Sequence, residues 1–503
     1  MNVLRRSWVL ILFISLLLSA CLLVTSCGDE TTVEMETVYR ETPPIVGAAR
    51  KSAYLRPEGS APFPVTAPLV VLRGTWRGMG DEYGKRSSAE IRQVFEGLFQ
   101  RLQEVGMDEQ TLSETIDGYR ALLEGSSPEM LEFMEGIAEG SSLEIQKSAS
   151  GTDLDDTQKI MLINFFASIY ESAPDFNGSL EEEGSCWDCL GDMTSTADPL
   201  AGTNIDASFY PFMYRLALVV IPDDPESNIY FSLPVAGSVG GPTGLNEKGV
   251  YVASLPVNAA NPAETTSEGA RSLSLPASFL STLVLTKSRD VKSARETILY
   301  GPQELGAGGE EEDLIPCTHA DFLIADASDA LVMERSPLHY SFRGAEPALN
   351  GGTFIAATDH FAGSESYNAK GEASGQPMSA YGRSDQDIEG SVIRLRSLEG
   401  LLRGCDVKID HPWLMANAAG MNYIYDEQGN KSYQVVNALG QVVSCFESGL
   451  TVDRYIPLGH SPYFGTVCSV IVNPSSLDIW YELGLPSDWV GPWEHIHLDD
   501  YLR

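Results

Sequence analysis

The sequence predicts an α+β fold of stacked sheets covered by helices, on three observations. Between Ser88 and Tyr170 apolar residues recur at spacings of three and four. Beyond residue 186 short runs rich in β-branched residues alternate with Gly, Pro, Asn and Asp. Two helical patterns, near 276–299 and 391–402, interrupt those runs. The chain has 503 residues, 43% of them hydrophobic, which suffices for one large domain or two ordinary ones. No repeat of fixed period divides it.

The first element is a targeting segment. Arg5 and Arg6 give it a positive start, and Trp8 to Val24 is an almost unbroken apolar run. Cys21 follows Leu18-Ser19-Ala20 and Cys27 follows Val24-Thr25-Ser26. Each setting resembles the lipobox of bacterial lipoproteins, whose cysteine is lipidated and becomes the mature N-terminus. Cys27 is the preferred lipidation site and Cys21 the alternative, because Cys27 leads straight into polar sequence whereas Cys21 would leave LLVTS exposed. Read otherwise, the run is an uncleaved membrane anchor. On either reading residues 1–27 stand outside the fold, and the body is held at a membrane outside the cytoplasm.

Residues 28–66, rich in Thr, Glu, Pro and Ser, read as a flexible tether. The body starts at APLVVLRGTWRGMGDEYG, residues 67–84, a short strand running into a glycine-spaced turn. Residues 67–185 are that strand and a mostly helical segment. Ile91, Val94, Phe95, Leu98 and Leu102 mark one helix, with Ser87 or Ser88 as its cap, and DTQKIMLINFFASIY, residues 156–170, marks another. Residues 186–503 carry the strands, among them YRLALVVIP, GVYVASLPV, DFLIADAS, ALVMERS, GTFIAAT and TVCSVIVNP.

Acidic residues outnumber basic ones 70 to 33, a formal net charge of -37, so the electrostatic footprint of a nucleic-acid binder is absent. Beyond Cys21 and Cys27 the cysteines are Cys186, Cys189, Cys317, Cys405, Cys445 and Cys468. If one of these is a catalytic thiol, the other five cannot all pair internally.

The pair Cys186-x-x-Cys189 admits three readings. A zinc site needs four ligands and these are two, with no second pair at finger-like spacing. HIHLDD near the C-terminus, with His495, His497 and Asp499, reads as solvated rather than metal-binding. A local disulfide is the second reading. The third is a nucleophile freed by cleavage at Ser185-Cys186, whose own α-amine takes the thiol proton, so that no histidine is required. Spacing alone leaves the second and third open. VAGSVGG, residues 235–241, approximates a nucleophile elbow at Ser238, but Pro242-Thr243-Gly244 leads toward a strand where an elbow needs a helix.

The order of motifs resembles the isopenicillin-N acyltransferase family of N-terminal-nucleophile proteins. LRGTWRGMGDEYGKRSSAEI is similar to that family's opening strand and helix, and CWDCLGDMTSTADPLAGTNID to its nucleophile segment with a later Asn-x-Asp. PVAGSVGGPTGLNEKGVYVASLPVN, FLIADASDALVMERSP, GTFIAATDHF, SVIRLRSLEGLL and GTVCSVIVNPSSLDIWYELGLPSDW follow in the family's order, spanning most of residues 67–501.

The resemblance implies a four-layer αββα sandwich, self-cleavage before the cysteine, and acyl transfer or hydrolysis on linear, non-peptide amides with no cofactor and no metal. Carried over by position, Cys186 is the nucleophile, with Cys189 and Ser185 as runners-up. Asp206 holds the freed amine, Asn204 supports that turn, Asp359 stands where the family has an oxyanion-hole Asn, and Arg394 matches an arginine near the pocket. Gly237 and Ser238 fall in the substrate-binding run. The implied partners are a small N-acyl amide and, through the anchor, a membrane. Trp187, Thr203 and Asp359 depart from the family's pattern, and they motivate the rival reading of a lipid-anchored ligand-binding protein without catalysis.

Overall fold

The computed structural model describes residues 69–147, 151–173, 182–207, 210–257, 273–301, 314–368, 370–382, 389–419, 465–483 and 493–502, with short strands at 32–35, 39–41 and between 424 and 444. The leader with Cys21 and Cys27 lies outside the described residues, as does Cys445. Among the described residues no helix is long and apolar enough to cross a membrane.

Two strands, β1 (Thr32–Met35) and β2 (Tyr39–Glu41), occur inside the expected tether and pair with edges of two different sheets. The tether reading fails at these seven positions because a sheet edge offers unpaired N–H and C=O groups to any extended segment that reaches it. β3 (Leu69–Gly74) then leads into α1 (Trp76–Arg86), where the Thr75 hydroxyl accepts a hydrogen bond from the Gly78 N–H at 3.2 Å. The glycine-spaced stretch expected as a turn is therefore a helix.

Its glycines serve packing. After α2 (Ser88–Glu104) and α3 (Glu109–Ser126), α4 (Pro128–Ile145) lies against α1 with Gly136 and Gly140 facing Gly80 and Gly84. A Cβ on Gly136 would stand 2.1 Å from the Arg77 carbonyl oxygen, and one on Gly80 2.2 Å from that of Phe133. Both obstacles are backbone and cannot swing aside. Gly136→Ala is accordingly expected to cost about 3 kcal/mol by forcing the helices apart. An unchanged urea midpoint in that variant would refute the close approach.

α5 (Asp156–Glu171) completes the first helical layer. Asp155 and Gln158 close a capping box, whereas Ser87, which stands before α2, makes no side-chain cap bond.

The strands follow: β4 (Glu182–Leu190), β5 (Leu200–Ala207), β6 (Ala217–Pro222), β7 (Tyr230–Ser232), β8 (Thr243–Asn246) and β9 (Tyr251–Pro256). The helical stretch expected near 276–299 is two helices, α6 (Ala277–Lys287) and α7 (Val291–Tyr300), because Asp290 and Ser293 form a capping box that starts a second one. Next come β10 (Ala320–Ala325), β11 (Ala330–Arg335), β12 (Tyr340–Arg343), β13 (Glu346–Pro347), β14 (Thr353–Thr358), α8 (Glu389–Arg403) and α9 (His411–Leu414). Two small ladders, β15 (Ile424–Tyr425) with β16 (Lys431–Ser432) and β17 (Gln434–Val436) with β18 (Val442–Ser444), precede β19 (Gly465–Asn473), β20 (Asp478–Leu483) and β21 (Trp493–His497).

One sheet has the order β1-β3-β6-β7-β8-β9-β10-β11-β12, the other β13-β14-β4-β5-β19-β20-β21-β2. β4 and β14 face β9, β10 and β11 across the interior. α6 covers β8 and β9, and α8 covers β14 on the opposite outside. The layers run helix, sheet, sheet, helix, so the fold is α+β with a helical segment ahead of the strands.

Candidate active site

β4 runs through the second sheet with β14 on one side and β5 on the other. Successive strand residues point to opposite faces. Cys186 joins the core shared with the first sheet, whereas Trp187 and Cys189 join the core under α8 and α9. By the same alternation Asp188 faces the first sheet and Ser185 faces α8. Cys186 and Cys189 therefore point away from each other, which excludes both a local bridge and shared ligation of one ion.

The inner face gathers ionisable groups. Asp321 and Glu334 are directly opposite across the β10–β11 pair. Arg343 of β12 donates from Nε to Glu334 at 2.8 Å and from Nη1 to the Ala356 carbonyl at 3.1 Å, tying one sheet to the other. Glu334 also accepts from the N–H groups of Ala362 and Gly363 at 2.9 and 2.8 Å. Neither oxygen of Asp321 has a hydrogen-bond partner among the described residues, and burial together with Glu334 pushes its carboxyl well above the usual carboxylate range. Burial, and next the Asp321 charge, pushes the Cys186 thiol up, while Arg343 and the Ala357 N–H favour its thiolate. In the uncut chain the thiol is protonated and a weak nucleophile.

The outer face holds the other expected residues. Thr358, Ser185, Asn204 and Ser469 form one row across four strands. Ser469 donates to Asn204 Oδ1 at 2.8 Å, and Asn204 Nδ2 donates to the carbonyls of Ala418 and Ala419 at 3.3 and 3.4 Å. Asp206 lies on the same face, opposite Glu183 and Thr466. Asn204 and Asp206 thus share a face with Ser185, and the residue directly across from Cys186 is Thr203. Asp206 and Asn204, expected at the freed amine and its turn, therefore lie on the face opposite the Cys186 side chain: spacing along the chain carries no register, and this register puts odd-numbered β5 residues on the Cys186 face.

Asp359 and Arg394 are brought together, as a buried ion pair from Arg394 Nη2 to Asp359 Oδ1. A carboxylate in that role accepts hydrogen bonds, so it is not the donor that an oxyanion requires. Beside it His360 Nδ1 lies 2.8 Å from Ser391 Oγ and 3.0 Å from Thr358 Oγ1, and Thr358 donates to the Ser391 carbonyl at 3.1 Å. Burial lowers the His360 pKa from 6.5 to about 4. The unfolded chain then binds this proton first as pH falls, so stability is lost from pH 6.5 down to about 4, by about 3 kcal/mol. His360→Gln should flatten the acid limb of stability against pH by that amount, and an unaltered limb would show that His360 is not its source.

Gly237 and Ser238 lie elsewhere. Their loop between β7 and β8 is held by Asn164, which donates to the Gly237 carbonyl at 3.0 Å and accepts from the Val239 N–H at 2.9 Å. Gly237, at φ 92°, takes the left-handed conformation the turn requires. Ser238 lines a cavity together with Ser254 and Pro256 of β9, the face of β9 opposite to Leu255, which packs near Gly184. The cavity and Cys186 are on opposite sides of the first sheet, so the structure does not join Gly237 and Ser238 to the thiol.

At the C-terminus His495 bonds Asp478 at 2.8 Å and stacks on Trp480, which stacks on His411 in turn. His495, expected to be solvated, is thus packed at a sheet edge, whereas Asp499 is exposed as expected.

Sequence reading overlooked Asp188, Asp321, Glu334 and Arg343. For Asp188, Asp321 and Glu334 the available signal was charge inside otherwise apolar strands, in CWDCL, ADFLIA and ALVMER.

No family model matches the chain, and no curated protein matches it. Among solved structures it is similar to a mutant of conjugated bile acid hydrolase from Clostridium perfringens, at 11% identity and a TM-score of 0.33, covering 63% of this chain and 93% of that one. An N-acylethanolamine-hydrolyzing acid amidase ortholog from Caenorhabditis elegans is similar at 11% identity and 0.32, with 57% and 92% covered. Penicillin V acylase from Agrobacterium tumefaciens is similar at 12% identity and 0.29, with 59% and 82% covered. Likeness at this level is distant and assigns no chemistry.

Proposed function

We propose that the protein is an exported, lipid-anchored N-terminal-nucleophile amidohydrolase or acyltransferase of linear, non-peptide amides, with Cys186 as the nucleophile. The observation that carries this reading is the position of Cys186 on the inner face of a central strand, against Asp321 and Arg343. The order of motifs around it supports the same reading.

In the uncut chain residues 182–185 pair with β5 on the N-terminal side of Cys186, and Ser185 pairs with Thr358 of β14 as well. Cleavage at Ser185-Cys186 gives Cys186 a free α-amine, which takes the thiol proton as the sulfur attacks the amide carbonyl. Withdrawal of residues 182–185 frees the backbone of Asn204–Ala207 and Thr358 to bind an extended amide. The Ala357 N–H, already near the sulfur, is the donor placed for the oxyanion, in place of Asp359.

A second reading, an uncut ligand-binding protein, is favoured by one observation: the Ser185-Cys186 bond lies in a regular strand paired on both sides. Intact mass and N-terminal sequencing of the purified chain decide between them. A fragment beginning at Cys186 supports the enzyme, and a single chain after prolonged incubation at neutral and acid pH refutes it. For the anchor, Cys27→Ala is expected to move the protein from the membrane to the soluble fraction; unchanged partition would refute lipidation there.

A further inference from the structure

Cutting the chain before Cys186 needs a base other than the α-amine. Until the Ser185-Cys186 bond is broken, the nitrogen of Cys186 belongs to an amide and takes no proton from the thiol. Another group has to receive it. On the inner face of the first sheet Glu334 is committed, to Arg343 and to the N–H groups of Ala362 and Gly363. Asp321 is not. It is fully buried, and neither of its carboxyl oxygens has a hydrogen-bond partner among the described residues. A buried carboxyl left without partners destabilises the fold, so its retention calls for a role.

Its place is fixed from two sides. Leu255 of β9 and Glu334 of β11 are the direct cross-strand partners of Asp321. Leu255 reaches across the interior to β4, where a Cβ on Gly184 would stand 2.8 Å from Leu255 Cδ2. Glu334 holds Arg343, which bonds the carbonyl of Ala356, the neighbour of Ala357, and Ala357 is the strand partner of Cys186. Gly184 and Cys186 are successive residues on the inward face of β4, and β4 lies against β10. Asp321 thus faces Cys186, with Leu255 on one flank and Arg343 on the other.

We infer that Asp321 is the proton carrier of self-cleavage: its carboxylate takes the Cys186 thiol proton as the sulfur attacks the Ser185 carbonyl, and returns it to the Cys186 nitrogen as the amide bond breaks. The inference rests on the self-cleaving reading proposed above. A C–S bond forms and a C–N bond breaks, which leaves Ser185 as a thioester and Cys186 with a free amine. Water then hydrolyses the thioester, releasing the Ser185 carboxyl group and restoring the thiol. Four charged or titratable groups face the carboxyl: Cys186 from β4, Glu334 from β11, Arg343 from β12 and Asp359 from beyond β14. Burial first, then Glu334 and, less, Asp359 raise its pKa, against the pull of Arg343, and a raised carboxylate is a stronger base toward a thiol. In acid the carboxyl is protonated and accepts nothing, so cleavage should speed up as pH rises.

The test follows cleavage of the full chain made by cell-free translation. Synthesis is stopped, the chain is moved to buffers from about pH 5 to about pH 8, and the fragment beginning at Cys186 is followed by intact mass. The parent rate is expected to rise at least about tenfold between about pH 5 and about pH 7, and Asp321→Asn to be slower by about a hundredfold or more. Hydroxylamine, which cleaves thioesters, should release no fragment from Asp321→Asn, because without the base no thioester forms. A parent rate that is flat or falls with pH, an Asp321→Asn chain that keeps pace, or prompt release of its fragment by hydroxylamine would each overturn the inference. The pH profile is the parent's own, so it decides even where urea unfolding shows the variant to be misfolded. A parent that stays uncut at every pH refutes the inference and the self-cleaving reading together, whereas a cut parent with an unimpaired variant refutes the inference alone.

Discussion

Cys186→Ala is expected to leave a single uncut chain and to abolish amide hydrolysis, with activity falling on the order of a thousandfold or more. The expectation follows from the position of the sulfur. Cys186 is fully buried between the sheets, next to Arg343, whose charge favours the thiolate, and no other residue of β4 on that face has a thiol or a hydroxyl. The readout is intact mass of the variant and its parent side by side. Equal cleavage in both would move the assignment to the opposite face of the same strand, where Ser185 and Cys189 point toward α8. The same comparison checks the thiol's dormancy: a slow alkylating reagent should label Cys186 in a cut protein and spare it in an uncut one.

Asp188→Asn should stabilise the protein at neutral and alkaline pH and do little in acid. Asp188 is buried on the inner face of β4, and neither of its oxygens has a hydrogen-bond partner among the described residues. Burial pushes its pKa from 3.8 up to about 8. Because the folded value is the higher one, the folded chain keeps this proton while the unfolded chain has released it. Stability is therefore lost as pH rises from 3.8 to about 8, by about 5 kcal/mol over that window. Asparagine has no proton to lose, so the variant's advantage should grow from near zero at pH 4 to about 5 kcal/mol at pH 8. Urea unfolding at several pH values measures it. A gain independent of pH would mean that packing, and not ionisation, is responsible. His360 acts with the opposite sign between pH 6.5 and about 4, so over that range the two contributions offset each other and the loss from Asp188 should show in the parent mainly above pH 6.5.

What the sequence disclosed was periodicity. The helical pattern at 156–170 is α5, and the runs VYVASLP, DFLIA and TFIAAT are β9, β10 and β14, because a buried face imposes its spacing on the residues that form it. What it withheld was register. Nothing in CWDC or TNID says that Cys186 pairs with Thr203, and that one pairing decides which of Asn204, Thr203 and Asp206 shares a face with the thiol. Long-range contact was withheld too. The glycines of α1 look like a turn until α4, some fifty residues on, brings Gly136 and Gly140 against them. Asp359 and Arg394 were both singled out, yet their pairing with each other, which removes Asp359 as a donor, needed the fold.

The weave of the two sheets bears on how a cut protein would behave. β3 belongs to the N-terminal piece yet lies between β1 and β6, and β2 of the same piece borders the second sheet beside β21. Severing the chain at residue 185 would therefore yield a noncovalent heterodimer, running as one particle under native conditions and parting only in denaturant. The lipid would be attached to one subunit and the catalytic sulfur to the other. Retention of the enzyme at the membrane would then depend on interstrand hydrogen bonds and core packing, and a mild denaturant would release the sulfur-bearing subunit while leaving the anchor behind.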